Sequence, residues 1–201
     1  MQDTSNRSFS GQFLITRYCL EMQNATSIEL TRDCEVTMIP AGTITTLPAG
    51  TSVDITQTLG GSYTVRALSG GLFRVAQKDS DALGLKAESK LEQAPSGPLD
   101  EKTVWETLRN CYDPEIPVNI VDLGLVYDMQ IHPLPSGNSA VAVKMTLTAP
   151  GCGMGGAIAG DAREKLLGLP GVEEAVVDIV WEPQWHHSMI TEQGRKILGL
   201  D

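Results

Sequence analysis

No two cysteines of this chain stand in a C-x-x-C arrangement; the four that exist lie at positions 19, 34, 111 and 152. Spacing that wide excludes a self-contained zinc finger and does not make a dense disulfide framework. It suits a reducing compartment, and the cytoplasm is the expected location. No apolar run approaches the roughly 18–20 residues that cross a bilayer. A secretory signal is also lacking, because Phe13-Leu14-Ile15 breaks off at Thr16-Arg17. The Ser, Thr and Arg content there faintly resembles a transit peptide, and Asp3 and Glu21 count against one. Positive charge is scarce: 15 Lys and Arg face 25 Asp and Glu, for a net charge of −10. The deficit is uneven, with 7 basic against 15 acidic residues from Leu99 onward, a balance of −8. Such a half repels phosphate backbones and anionic lipid, so neither nucleic acid nor a membrane surface is an expected partner. Neither G-x-S-x-G nor G-x-x-x-x-G-K-[ST] occurs, which leaves serine-hydrolase and P-loop chemistry without a motif.

What is present divides the chain. Residues 1–24 are polar and aperiodic and read as a disordered extension. Residues 25–85 read as a small antiparallel β domain. Strands are expected over 35–39, 43–47, 51–59, 62–68 and 71–77, separated by Pro40-Ala-Gly42, Pro48-Ala-Gly50, Gly60-Gly61 and Gly70-Gly71. Five short strands with exposed edges favour a curled, partly closed sheet. Residues 86–98, ending in Pro95-Ser-Gly-Pro98, read as a linker.

Residues 99–201 carry a mixed pattern. Asp100 is an expected N-cap for a helix with Val104, Trp105, Leu108 and Cys111 on one face. Leu125, Tyr127, Met129 and Ile131 alternate with polar neighbours as one strand, and Val141, Val143, Met145 and Leu147 as its hairpin partner. A second helix is expected from about Gly155 to Leu169 and a third strand over Ala175–Trp181. Met189, Ile190, Ile197 and Leu198 suggest a last helix, weakened by Gly194. The fold class is thus α+β, with an α-β-β-α-β-α order in the second half.

Three segments could carry chemistry. Thr146-Leu-Thr-Ala-Pro-Gly-Cys152-Gly-Met-Gly-Gly156 leaves a strand, crosses a glycine-rich turn and enters a helix. A thiol at a helix start ionises more readily, and Gly151, Gly153 and Gly155 leave room for a bulky ligand. The reading expects an exposed Cys152; the plainer alternative is a buried small hydrophobe. In Tyr112-Asp-Pro-Glu-Ile-Pro-Val-Asn-Ile-Val-Asp-Leu-Gly-Leu125, Asp113 and Glu115 are candidates for metal ligands, acid–base groups or a hydrogen-bonded brace, with turn chemistry as the structural alternative. Trp181-Glu-Pro-Gln-Trp185 is either a packed corner or an aromatic lip for a partner.

Together with Leu30-Thr-Arg-Asp-Cys-Glu35, Ile39-Pro-Ala-Gly-Thr43 and Leu59-Gly-Gly-Ser-Tyr-Thr64, these segments resemble, in order, the motifs of SufT-type iron–sulfur cluster assembly and maturation proteins. The likeness covers roughly residues 28–200. Its C-terminal domain is similar to a wider group that includes the phenylacetate-oxygenase accessory protein and a domain fused to some iron–sulfur carrier ATPases. The resemblance implies maturation of iron–sulfur proteins without enzymatic turnover, with Cys152 as the ligand of iron or a transient cluster. The implied partners are assembly scaffold or carrier proteins and client apoproteins. The first 22 or so residues match nothing in the family, so the functional chain is expected to begin at Met22. His186 and His187 are neighbours that point apart on most backbones, against a two-His metal site.

Ligand arithmetic narrows the expectation. Clusters usually take four protein ligands, and this chain offers one well-placed thiolate. Two protomers could share a cluster as a homodimer, with Asp113, Glu115 or a small thiol completing it, or Cys152 could hold one only in passing. A metal-free adaptor, docking clients through Trp181 and Trp185, is the alternative. A Cys152 nucleophile would need His132, His186 or His187 as its base.

Overall fold

The computed structural model describes residues 27–85 and 99–200. The expected extension over 1–24, the Met22 start and the linker over 86–98 lie outside the described residues. The fold is α+β, with two sheets.

The first sheet holds β1 (Ser27–Glu29), β2 (Cys34–Ile39), β3 (Ile44–Leu47), β4 (Ser52–Leu59), β5 (Ser62–Ala67) and β6 (Leu72–Val75), in the order β1-β4-β5-β6-β2-β3. Five of these follow the expected segments. The sixth, β1, is three residues long, too short to show alternation in sequence. The last expected strand stops at Val75, and a 3₁₀ helix occupies Gln77–Leu83. The sheet must curl. In a flat sheet β3 and β4 would stand four strand spacings apart, about 19 Å. Only Pro48–Thr51 joins them, a stretch of at most about 17 Å when extended, and it is shortened further by the turn from Thr51 N–H to Pro48 O. Inside lie Leu30, Cys34, Val36, Val53, Val65, Phe73, Val75 and Leu83.

The second sheet is β7 (Val126–Pro133), β8 (Ser139–Met145) and β9 (Val172–Ile179), with β7 antiparallel and β9 parallel to β8. Helix α1 (Glu101–Leu108) starts where expected, since Asp100 Oδ1 accepts the Thr103 N–H at 2.7 Å. Helix α2 (Gly155–Leu167) is the crossover between β8 and β9, and α3 (Glu192–Leu198) closes the described chain. The expected last helix therefore begins later than its apolar residues suggest; Met189 and Ile190 belong to a 3₁₀ turn and its end.

One phase error is informative. Continuous alternation puts Tyr127 on the same face as Met129. Instead a bulge lies between Val126 and Asp128, so Val126, Met129 and Ile131 face the core opposite Met145, Val143 and Val141. Tyr127 is thereby turned aside, and its hydroxyl donates to Pro183 O at 2.8 Å.

The two sheets are not independent. Ile39, at the end of β2, packs in the second core with Val104, Leu108, Met145, Met154 and Ile158. Burying such a side chain is worth about 2 kcal/mol. Arg74 of β6 meets Asp161 of α2, Nη2 to Oδ1 at 2.6 Å, with both side chains only 8% exposed.

Candidate functional site

The strand β8 ends at Met145, and the chain then crosses Thr146–Met154 before α2 begins. Thr146 and Leu147 are still buried; the polypeptide surfaces at Ala149, Pro150 and Gly151. Cys152 stands two residues before the N-cap Met154, whose side chain makes no capping bond. Its N–H donates to Ala149 O at 3.3 Å and its carbonyl accepts from Gly155 at 3.2 Å, which closes the turn onto the helix. The thiol is free and half-buried, packed partly against the second core. The expectation of an exposed Cys152 is corrected to that extent: the turn folds back over the top of the core instead of projecting from it. Gly151, at φ +83°, has open space around its α-carbon, so one side of the turn is free for a ligand. Gly153 is different, for its α-carbon lies against the Pro40 and Ala41 carbonyls of the first sheet.

The other described cysteines are poor ligands. Cys111 is fully buried and burial pushes its thiol up to about 12, while Cys34 is buried and raised for the same reason. Cys152 is the one described thiol with access to solvent.

Asp113 and Glu115 part company. The Asp113 carboxyl is buried, and burial pushes its pKa up, partly offset by the Glu115 N–H it accepts at 2.9 Å. It closes a turn. Glu115 itself points to solvent. Among the described residues no three His, Cys, Asp or Glu side chains lie close enough together to hold a metal ion.

The residue of this segment that sequence reasoning passed over is Asp122. It is buried, and it accepts from Asn119 Nδ2 at 2.7 Å, Arg109 Nη1 at 2.8 Å and Thr191 Oγ1 at 3.0 Å. Burial alone would raise its pKa; the bonds from Asn119, Thr191 and Arg109 outweigh that and hold the carboxyl below its ordinary value. Its backbone N–H returns to Asn119 Oδ1, and its carbonyl accepts from Thr191 N. Thr191 also caps α3 by accepting from Gly194 N at 3.1 Å. The signal available in sequence was the Asn-x-x-Asp spacing, which an Asx-type turn uses.

Trp181 and Trp185 are brought together. Trp181 is 44% exposed, whereas Trp185 is half-buried and donates its indole N–H to Leu123 O at 2.9 Å. With Thr146, Thr148 and Pro150 they line a groove of about 240 Å³ beside the segment that runs from β8 to Cys152. A larger hollow, about 560 Å³, runs along α1 past Trp105 and Arg109 and includes nothing from the Cys152 turn. His186 and His187 are exposed, and the His187 ring lies 5.0 Å from that of Trp185.

The arrangement, then, is one accessible thiol on a glycine-lined turn at the carboxyl end of a central strand, next to an aromatic groove. A family model described as iron–sulfur cluster assembly protein matches residues 101–178. Over 100 residues the chain is 39% identical to an Fe-S protein maturation auxiliary factor of Porphyromonas gingivalis, covering 50% of this chain and 91% of that protein. It is 32% identical over 100 residues to the Fe-S protein maturation auxiliary factor YitW of Bacillus subtilis, covering 50% and 94%. It is 35% identical over 88 residues to the Fe-S protein maturation auxiliary factor SufT of Staphylococcus aureus, covering 44% and 96%.

Proposed function

Because this chain belongs to the family of iron–sulfur cluster assembly proteins, we propose that it is a maturation factor that holds iron or a cluster in passing on Cys152 and delivers it to client apoproteins. The observation that carries the reading is the contrast among its thiols: Cys34 and Cys111 are buried and raised by burial, while Cys152 alone of the described three meets solvent. The cluster here is cargo, not a resident cofactor. A single thiolate, with no trio of ligating side chains beside it among the described residues, holds it weakly, so in this reading the remaining ligands come from a second copy of the chain, a client or a small thiol. Weak holding favours transfer. Gly151 gives the cargo its approach on the open side of the turn, Gly153 is held under the first sheet, and Asp113 and Glu115 are the carboxylates proposed as further ligands.

In this reading residues 25–85 and 99–201 are the two domains, joined by a linker over 86–98, and the protein works in the cytoplasm without turnover of its own. No helix among the described residues is long and apolar enough to cross a membrane. The groove between Trp181 and Trp185 is the docking place for a client or an assembly scaffold.

Anaerobic reconstitution with iron and sulfide tests the proposal. Wild type should gain visible charge-transfer absorption and the corresponding mass under native conditions, and Cys152→Ser should gain neither. Equal loading of the two proteins would refute Cys152 as the ligand. A second reading, a metal-free adaptor, is supported by the Trp181 groove. It predicts that Cys152→Ser matures clients as well as wild type does.

A further inference from the structure

The family model matches only residues 101–178, so the first sheet lies outside what it describes. Its position is specific. The turn after β2, Pro40-Ala-Gly42, lies directly on the Cys152 turn, backbone against backbone. A Cβ on Gly42 would collide with the Gly153 carbonyl, and a Cβ on Gly153 would collide with the Ala41 carbonyl. Neither glycine can carry a side chain without separating the two turns.

A second contact acts on the helix that continues from the Cys152 turn. Arg74 crosses from β6 to Asp161, within α2, at 2.6 Å. The contact is one of charge with charge, since Nη2 is not aligned for a hydrogen bond. Lys165, one turn further along α2, completes the group at 2.9 Å from Asp161 Oδ2. Both members of the Arg74–Asp161 pair are nearly sealed, so removing Arg74 takes away the cation that ties Asp161 to the first sheet and leaves it with Lys165 alone. The start of α2 has no side-chain cap of its own. The first sheet bears on α2 at two places, through the Pro40–Gly42 turn just ahead of its start and through Arg74 at its middle.

We propose that the first sheet is a clamp on the Cys152 turn, with Gly42 and Arg74 as positioning residues that set how often the thiol is presented. The inference rests on Cys152 being the working group, as proposed above, and it adds a built-in control of that group. With the clamp seated, the thiol stays half-buried against the core. When the Pro40–Gly42 turn lifts, the glycine-rich turn is freed on its second side. A partner that engages the first sheet would thereby release the cargo-binding cysteine.

The test is residue-resolved alkylation of the full chain with iodoacetamide, read by mass spectrometry on the peptide containing Cys152. It needs no iron, so it stands or falls separately from the reconstitution experiment. The Cys152 rate should rise at least about fivefold in Gly42→Ala and in Arg74→Met, as expected when a local closed state loses about 1 kcal/mol. Arg74→Lys, which keeps a cation facing Asp161, should fall between wild type and Arg74→Met; that partial rescue separates positioning from general loosening. Cys34 and Cys111 should stay unlabelled throughout. Unchanged Cys152 rates in Gly42→Ala and Arg74→Met, with Cys34 and Cys111 still protected, overturn the clamp. Should Gly42→Ala expose Cys34 or Cys111, it has lost its fold, and the Arg74→Met and Arg74→Lys pair decides: a wild-type rate in both overturns the proposal.

Discussion

The segment from Tyr112 to Leu125 and the turn around Cys152 are equally unusual as sequences, yet the protein uses them in opposite ways. The first is rich in carboxylates and amides and, Glu115 apart, turns them inward. Asp113 closes a turn on Glu115, and Asp122 gathers Asn119, Arg109 and Thr191 about itself. The second is nearly devoid of polar side chains, and its one chemical group, the Cys152 thiol, has no side-chain partner assigned to it. Polar residues that satisfy one another are scaffolding. A reactive atom left unsatisfied at the surface of a rigid frame is where chemistry can happen.

The comparison breaks most sharply on stability. Asp122→Ala strands the buried Asn119 amide and the Thr191 hydroxyl and frees the half-exposed Arg109, and should cost about 2 kcal/mol in urea or thermal unfolding. Cys152→Ser should cost less than about 1 kcal/mol in the same assay, because the half-buried thiol keeps one side in solvent. If the two variants lose similar stability, the division into scaffold and reactive group is wrong. Next comes Gly194→Ala. Its Cβ would stand 2.5 Å from the Asp122 carbonyl oxygen, and overpacking of that kind costs about 1–3 kcal/mol. Its iron loading should be unaffected, which a reconstitution alongside the unfolding curve would show.

The finest effect is a difference of sign within the first segment. The Asp122 carboxyl is held below its ordinary value, so below about pH 4 the unfolded chain takes the proton first. Its contribution to stability is complete above that range and disappears as pH falls through the folded-state value. The Asp113 carboxyl is raised by burial, so there the folded chain takes the proton first, and its contribution fades as pH rises. Unfolding measured between neutral pH and about pH 3 should therefore show a shallower acid loss for Asp122→Asn than for wild type, and a steeper one for Asp113→Asn. The same slope in all three proteins would contradict these assignments.

Much of the frame was legible from local pattern. Asp100 announced α1, the alternation of Val141, Val143 and Met145 gave β8 its inward face, and the glycines around Cys152 marked a strand-to-helix turn. What escaped depends on partners far away in the chain. The bulge at Tyr127 is invisible to a period-two reading, because Leu125, Tyr127 and Met129 keep the rhythm that the backbone interrupts. Asp122 looked like one more loop acid, since Thr191 lies 69 residues away. Gly194 read as a helix-weakening residue, and its purpose emerges only where α3 comes down on the Asp122 carbonyl. The contact of Pro40–Gly42 with Gly153 joins two turns that sequence placed in separate domains.

That contact has an evolutionary side. Position 42 forbids a side chain because of the Gly153 carbonyl, and position 153 because of the Pro40 and Ala41 carbonyls. A substitution at either one is tolerated only if the opposing turn withdraws. A chain without the first sheet carries no such constraint at 153, whereas one that keeps this contact needs glycine at both positions, the more so at 42, whose φ is +70°.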